Sequence, residues 1–389
     1  MVTGALEWLD ALNASFDFPE SAWAWWEALD ARLAAVAASD PGPGDVRARS
    51  TWLKRVRNGL ADLAVADGSS AALWRAGAQF LAGYRDLDLR EATGTGHGQM
   101  ILDHAPAPVA AVWRERLASG ALVGIAATES HGGSRIREIT TGATMAPDGT
   151  WRITGEKRWV SRLEESDAFV VFVRDPDGSI SAVIIDGASP GVHRRVIAPA
   201  GLGGWTWGVV GFDDVSVDPA SGLLGEVGAG LDNFNAHFTR FRPLVTACAL
   251  GAAAAVHDRV RAVLIAKRDC GVVPRIRDNA FIALGTAWAQ VVAALLLAFH
   301  ASLTHVSGHT TGFLASRLGK AHGVDAACRV VDLLAPLVGA VGFQRDHPIA
   351  KARLDLAALQ YADGIGDSLY RSGGIELLGG SRPSGAVGE

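Results

Sequence analysis

The hydrophobic period of this chain changes twice along its length, and that change limits the fold more than any single residue does. Over residues 1–118 apolar side chains recur at helical spacing, as in WAWWEALDARLAAVAA and LWRAGAQFLAGYRDL. Pro41, Gly42, Pro43 and Gly44 break the first long helix from the next. From 119 to 225 the runs become short and β-branched or aromatic: WRIT (151–154), FVVFVR (169–174), SISAVIID (179–186) and WGVVGFDDVSV (207–217). Turn signals, Pro147-Asp148-Gly149 and Pro176-Asp177-Gly178, separate them with no helical segment between. That excludes alternating β–α units and predicts an antiparallel sheet or barrel. From 226 to 389 the helical period returns, in stretches whose Ala and Gly permit close helix approach. The chain reads as an α+β multidomain protein with an N-terminal helical domain (1–118), a middle antiparallel β-barrel domain (119–225) and a C-terminal four-helix bundle (226–389). The last residues, GGSRPSGAVGE, read as frayed.

Composition removes several function classes. Lys and Arg total 36 against 41 Asp and Glu, a net charge of −5, which argues against affinity built on phosphate neutralisation. Cys248, Cys270 and Cys328 are too scattered for a disulfide framework or a zinc site, so a reducing cytoplasm is expected. The N-terminus has neither the basic start nor the apolar core of a signal peptide. Ala280–Leu303 is apolar but carries Gln290 and His300, and reads as a bundle helix rather than a membrane span. Clustered Trp23, Trp25 and Trp26 read as core or subunit packing. No dinucleotide fingerprint, P-loop or metal motif occurs, and His97, His131 and His347 lack metal-ligand spacing and read as structural or surface residues.

Residues 124–162 are where chemistry is expected. Thr128-Glu129-Ser130-His131-Gly132-Gly133-Ser134 is a loop able to present hydroxyls and backbone N–H groups to an anionic or heteroaromatic ligand. A strand, a turn and then Gly155-Glu156-Lys157-Arg158-Trp159-Val160-Ser161 follow. An indole beside a hydroxyl at an exposed strand end suits covering a flat ring while the hydroxyl bonds to its edge. From the residues alone, simple packing remains the alternative.

The order of motifs from residue 128 to 364 resembles the acyl-CoA dehydrogenases. TESHGGSR (128–135) stands for that family's TEPxxGSD-like loop, and DGTWRITGEKRWVS (148–161) for its "dG…w.i.G.K.W.(S/T)" pattern. SPGV (189–192), GFDDVSVDP (211–219), LLGEVGAGL (223–231), FRP (241–243), RDCG (268–271), VGF (341–343) and DHPIAKARLDLAALQYADG (346–364) follow in the family's order. The resemblance implies an acyl-CoA dehydrogenase-like fold and FAD as cofactor. It places Ala127 and Thr128 at the flavin's pyrimidine edge, Trp159 against the isoalloxazine, Ser161 near its N5, and Arg268 on the cofactor pyrophosphate, from a neighbouring subunit if need be. It sets Ser134 and Arg242 on the substrate side. It also implies an acyl thioester substrate on CoA or a carrier protein, an electron-transfer partner or oxygen as acceptor, and a homotetramer or homodimer.

The same resemblance implies a base. One branch of the family carries a glutamate about 15 residues after the "e-y-P" element, where this chain has Asp363; the other keeps it beside the RP pair, where Phe241-Arg242-Pro243 has no carboxylate. Asp363 is the inherited candidate, with a helix-cap role as its alternative. Four positions depart from the pattern: Cys270 for a phenylalanine, Pro336 for a glutamine, Ala340 for a glycine and Arg135 for an acid. They weaken contacts expected to the FAD tail and to CoA, and imply a divergent, biosynthetic member. Three functions follow: an FAD-dependent dehydrogenase forming an α,β double bond in an acyl thioester, a flavin monooxygenase on the same fold, and a non-catalytic partner subunit. Anaerobic thioester addition separates them: the flavin bleaches, it bleaches only after NAD(P)H-driven reduction, or there is no flavin.

Overall fold

The computed structural model describes residues 4–42, 45–63, 71–273, 275–306 and 311–379. Pro43, Gly44 and the tail 380–389 lie outside them.

The N-terminal helices are α1 (Ala5–Phe16), α2 (Glu20–Ala37), α3 (Val46–Gly59), α4 (Ala71–Arg85), α5 (Gly98–His104) and α6 (Ala107–Ala118). Asp45 caps α3 by accepting from the amides of Arg47 and Ala48, which fixes where that helix starts. The tryptophans pack as read: Trp26 is fully buried and donates to the Trp74 carbonyl at 3.1 Å, with Trp23 and Trp25 against the same core.

The middle region holds seven strands: β1 (Val123–Ala126), β2 (Gly142–Met145), β3 (Trp151–Ser161), β4 (Ala168–Arg174), β5 (Ile180–Asp186), β6 (Val192–Ile197) and β7 (Trp207–Val217). They form one curled sheet in the order β1-β4-β2-β3-β7-β6, with β5 on the other edge of β4. Pairing is antiparallel except where β4 meets β1 and β2 in parallel. The unbroken apolar run of β4 is explained by its place. Phe169, Val171 and Val173 enter the sheet's own core, while Val170 and Phe172 face a second core with Met100, Trp113 and Leu117 of α5 and α6. A strand covered on both faces does not alternate.

The chain then returns to helix: α7 (Pro219–Gly222), α8 (Gly230–Asp269), α9 (Asp278–Val306), α10 (Gly312–Leu334), α11 (Pro348–Leu359) and α12 (Gly366–Leu377). The three long helices α8, α9 and α10 pack on one another, with the short α12 against α10 and α4 against α8. Glycines permit that last contact. A Cβ at Gly83 would fall 1.9 Å from the Cys248 carbonyl oxygen, and one at Gly251 would fall 2.1 Å from that of Phe80. Among the described residues α9 alone is long and apolar enough to cross a membrane by length and composition. It packs in the bundle with Val291, Leu295 and Phe299 buried, and Phe281, Ile282 and Trp288 exposed.

Candidate active site

β3 carries the residues expected to meet a flat ring. It is continuous from Trp151 to Ser161, beginning after the turn at Pro147-Asp148-Gly149, with two slips in its pairing with β7. The second slip falls between Arg158 and Val160 and leaves Trp159 unpaired at φ 58°, a left-handed conformation that non-glycine residues seldom adopt. The bulge turns the indole outward, 58% exposed, while Ser161 returns to register opposite Trp207 and is buried.

The loop after β1 is tied to β3 beneath that indole. The Arg158 amide donates to the Thr128 carbonyl at 2.7 Å. Glu129 is buried and accepts from the amides and hydroxyls of Thr140 and Thr141 at 2.7–2.9 Å and from Lys157 Nζ at 2.8 Å. Burial pulls the Glu129 carboxyl up, but Lys157 and the threonine amides outweigh it and hold it at about 2. Burial takes the Lys157 ammonium down to about 8, with Glu129 opposing. Lys157 also donates to the Ala127 carbonyl at 3.4 Å, and Ala127 and Thr128 stay half-buried at the loop's start. This pair went unassigned in the sequence, though β3 hinted at it: Lys157 shares the strand parity of core residues Trp151 and Ile153, so an ammonium points inward and needs a partner.

The same loop also reaches the helical region that carries Asp363. Ser134 Oγ lies 2.9 Å from Ser368 Oγ, joining the loop to α12 five residues beyond Asp363. Asp363 occupies the turn between α11 and α12 with φ 57°. Two buried cations from the bundle clamp that turn by its carbonyls. Arg242 Nε donates to the Asp363 carbonyl at 3.0 Å, and Lys320 Nζ donates to those of Leu359 at 2.8 Å and Gly364 at 2.5 Å. Burial lowers Arg242 to about 10 and Lys320 to about 8, with Asp363 opposing in both. The Asp363 carboxylate itself is half-buried and accepts no hydrogen bond among the described residues. Six described non-glycine residues have positive φ, Trp159, Arg162 and Asp363 among them. Strain of this kind persists where the surroundings over-determine it.

Arg268 does not join them within one chain. It lies 26 residues beyond Arg242 on α8, about 39 Å along the axis at the usual helical rise, and pairs with Asp269 at 2.8 Å in solvent. Three of the four departures noted in the sequence lie away from the loop and β3: Cys270 is exposed beside Arg268, and Pro336 and Ala340 sit in the turns after α10, whereas Arg135 follows Ser134 in the loop itself, exposed and 3.4 Å from Glu138.

His97 takes the structural one of its two expected roles. Its Nδ1 lies 2.9 Å from Nε2 of His237 on α8, both rings are buried, and Phe241 stacks on His237 with centroids 5.3 Å apart. Burial, first, and neighbouring arginines, Arg162 among those near His97, hold both imidazoles well below their ordinary range, so both are neutral at pH 7. His131 and His347 do keep structural roles, His131 Nε2 meeting the Arg135 carbonyl at 3.1 Å and His347 capping α11. Asp86, Asp88 and Asp355 converge as metal ligands would, but Arg49 and Lys351 fill the space between them, with Arg49 Nε 2.9 Å from Asp88 and Lys351 Nζ 2.7 Å from Asp86. That cluster is an ion-pair network joining α3, the Leu87–Glu91 turn and α11.

Comparison with known proteins adds the following. Residues 124–215 match the family model for the acyl-CoA dehydrogenase middle domain and residues 228–371 that for its C-terminal domain, together more than half the chain. The very long-chain specific acyl-CoA dehydrogenase of Macaca fascicularis mitochondria is 26% identical over 281 residues, which are 65% of this chain and 40% of that protein. This chain therefore matches less than half the length of that relative. Among solved structures, a glutaryl-coenzyme A dehydrogenase in its glutaryl-CoA complex superposes with a TM-score of 0.81 at 17% identity, covering 95% of this chain and 98% of that one. A Mycobacterium smegmatis glutaryl-CoA dehydrogenase in complex with FADH2 gives 0.79 at 18% identity, covering 94% and 97%. At such identities the superpositions establish the fold.

Proposed function

Since this chain belongs to the acyl-CoA dehydrogenase family, we propose that it is an FAD-dependent dehydrogenase that forms an α,β double bond in an acyl thioester. The observation that carries the reading is an outward indole on a β3 bulge with a hydroxyl two residues on, beside a loop whose Ser134 meets Ser368 of the helix that follows the clamped Asp363 turn. FAD fits the first two, because Trp159 presents a bare aromatic face and Ser161 and Thr128 flank it with hydrogen-bonding groups. Ala127 and Thr128 would hold the ring's pyrimidine edge, and Arg268 of a second copy the pyrophosphate. When bound, FAD supplies the acceptor for the hydride that leaves the β-carbon.

The chain's own work is on the proton. Asp363 takes the α-proton on a carboxylate oxygen as the C–H electron pair becomes the new double bond. Its carboxylate makes no competing hydrogen bond, while Arg242 and Lys320 grip the backbone on either side and fix where it points. Ser134 and Arg242 line the thioester side. The carrier is CoA or a carrier protein, and the electrons pass to a protein partner or to oxygen. A homotetramer or homodimer agrees with the exposed apolar side of α9. The test is anaerobic mixing of FAD-loaded protein with acyl thioesters: bleaching of the flavin without any other reductant supports the dehydrogenase, and persistent yellow colour with every thioester overturns it.

A further inference from the structure

Glu129 and Lys157 are buried together, yet the proton transfer to Asp363 uses neither of them. Hydrogen bonding alone does not require the lysine, since the amides and hydroxyls of Thr140 and Thr141 already give Glu129 four donors. What Lys157 adds is charge. Its Nζ stands 2.8 Å from Glu129 and 3.4 Å from the Ala127 carbonyl, so the ion pair backs onto the peptide units of Ala127 and Thr128. Its place is fixed from β3: Lys157 points inward and is fully buried, and the amide of the next residue, Arg158, holds the Thr128 carbonyl at 2.7 Å.

That backing matters to a flat ring seated at Ala127 and Thr128. A hydride brings two electrons and one proton to flavin N5 and leaves the ring with one negative charge, shared on its pyrimidine side by N1 and the C2 oxygen. Charge near those atoms is one of the means by which a protein tunes a flavin. Buried charges are weakly screened, so one behind the Ala127 peptide acts on the reduced ring and hardly on the neutral oxidised one. Glu129 stays ionised, its carboxyl held at about 2, and alone it would disfavour the reduced ring. Lys157, at about 8, is still an ammonium at pH 7 and cancels that charge.

We propose that Lys157 sets the reduction potential of the bound flavin, its ammonium compensating the Glu129 carboxylate behind the ring's pyrimidine edge so that the ring can take up a hydride. Lys157 touches neither ring nor substrate and acts through the loop, as a positioning residue for charge. The inference rests on the seat of FAD at Ala127 and Thr128 proposed above.

The test measures the midpoint potential of FAD-loaded protein against a redox dye of known potential, with no thioester present. Lys157→Met keeps the length of the side chain and removes its charge, and Lys157→Gln does so while still able to donate to Glu129. In each the potential is expected to fall by at least about 30 mV, a tenfold shift of the two-electron equilibrium towards the oxidised ring. Lys157→Met combined with Glu129→Gln removes both charges and should return that equilibrium to within about twofold of the parent's, a recovery that a loop merely disturbed in shape would not show. An unchanged potential in the single variants, a fall that the double variant keeps, or loss of FAD from every variant would overturn the inference and leave the pair an anchor of the loop. Anaerobic bleaching by thioesters judges the dehydrogenase separately. The expected shifts without bleaching of the parent protein keep the inference and overturn the dehydrogenase, bleaching without the shifts does the reverse, and a parent protein that takes up no FAD overturns both.

Discussion

The loop–β3 platform and the Asp363 turn are held in opposite ways. On the platform the ionised groups satisfy each other: Glu129 accepts from five donors and Lys157 is spent on it. At the turn the cations bind backbone carbonyls and leave the acidic side chain alone. A saturated buried network gives position and no reactivity; a clamped backbone with an unspent carboxylate gives both. Glu129 is thus spent on its neighbours, while the Asp363 carboxylate accepts no hydrogen bond among the described residues.

The contrast can be broken, and the largest effect is expected on the platform. Glu129→Ala leaves Lys157 buried without its partner, and should cost about 3–5 kcal/mol in denaturant unfolding; a loss below about 1 kcal/mol would mean the network holds nothing. Glu129 also sets an acid limit. Its carboxyl is held at about 2 in the folded chain against an ordinary 4.5, so the unfolded chain binds more protons in that window and stability falls as pH drops from 4.5 towards 2. Glu129→Gln should flatten that part of the curve.

A smaller effect is expected at the clamp. Lys320→Met removes two charge-assisted bonds to the turn and should cost about 1.5–3 kcal/mol at most, since the replaced charge was itself costly to bury. It should slow thioester-driven flavin reduction by more than its effect on melting suggests, because the turn aims Asp363. Smallest is the indole. Trp159→Ala should leave stability within about 0.5 kcal/mol, the side chain being mostly exposed, yet weaken FAD binding by about 0.5–1.5 kcal/mol in a flavin titration, the scale of an aromatic stack. A change in melting with no change in flavin affinity would make Trp159 a packing residue.

The helix–strand–helix order was legible because periodicity is local, and so were β3, β4, β5 and β7. β1, β2 and β6 were not singled out: the first two have four residues each, and VHRRVI of β6 is half polar, being mostly solvent-facing. The parallel contact of β1 with β4 joins residues 45 positions apart and is a choice of partner that no local run encodes. The bulge that exposes Trp159 needs the register with β7, and the His97–His237 pair spans 140 positions. Thr128, Trp159, Ser161 and Asp363 were named through motifs, since each belongs to a short pattern. Arg268 belongs to one as well, but within one chain it pairs with Asp269 in solvent.

The account turns on Asp363 as the proton acceptor, and single-turnover flavin reduction by an acyl thioester under anaerobic conditions tests it most directly. Asp363→Asn should retain FAD, thioester affinity and melting temperature while the reduction rate falls by ~10²–10⁴, the usual contribution of a positioned general base. A variant that reduces its flavin as fast as the parent protein, whatever its stability, would contradict the account.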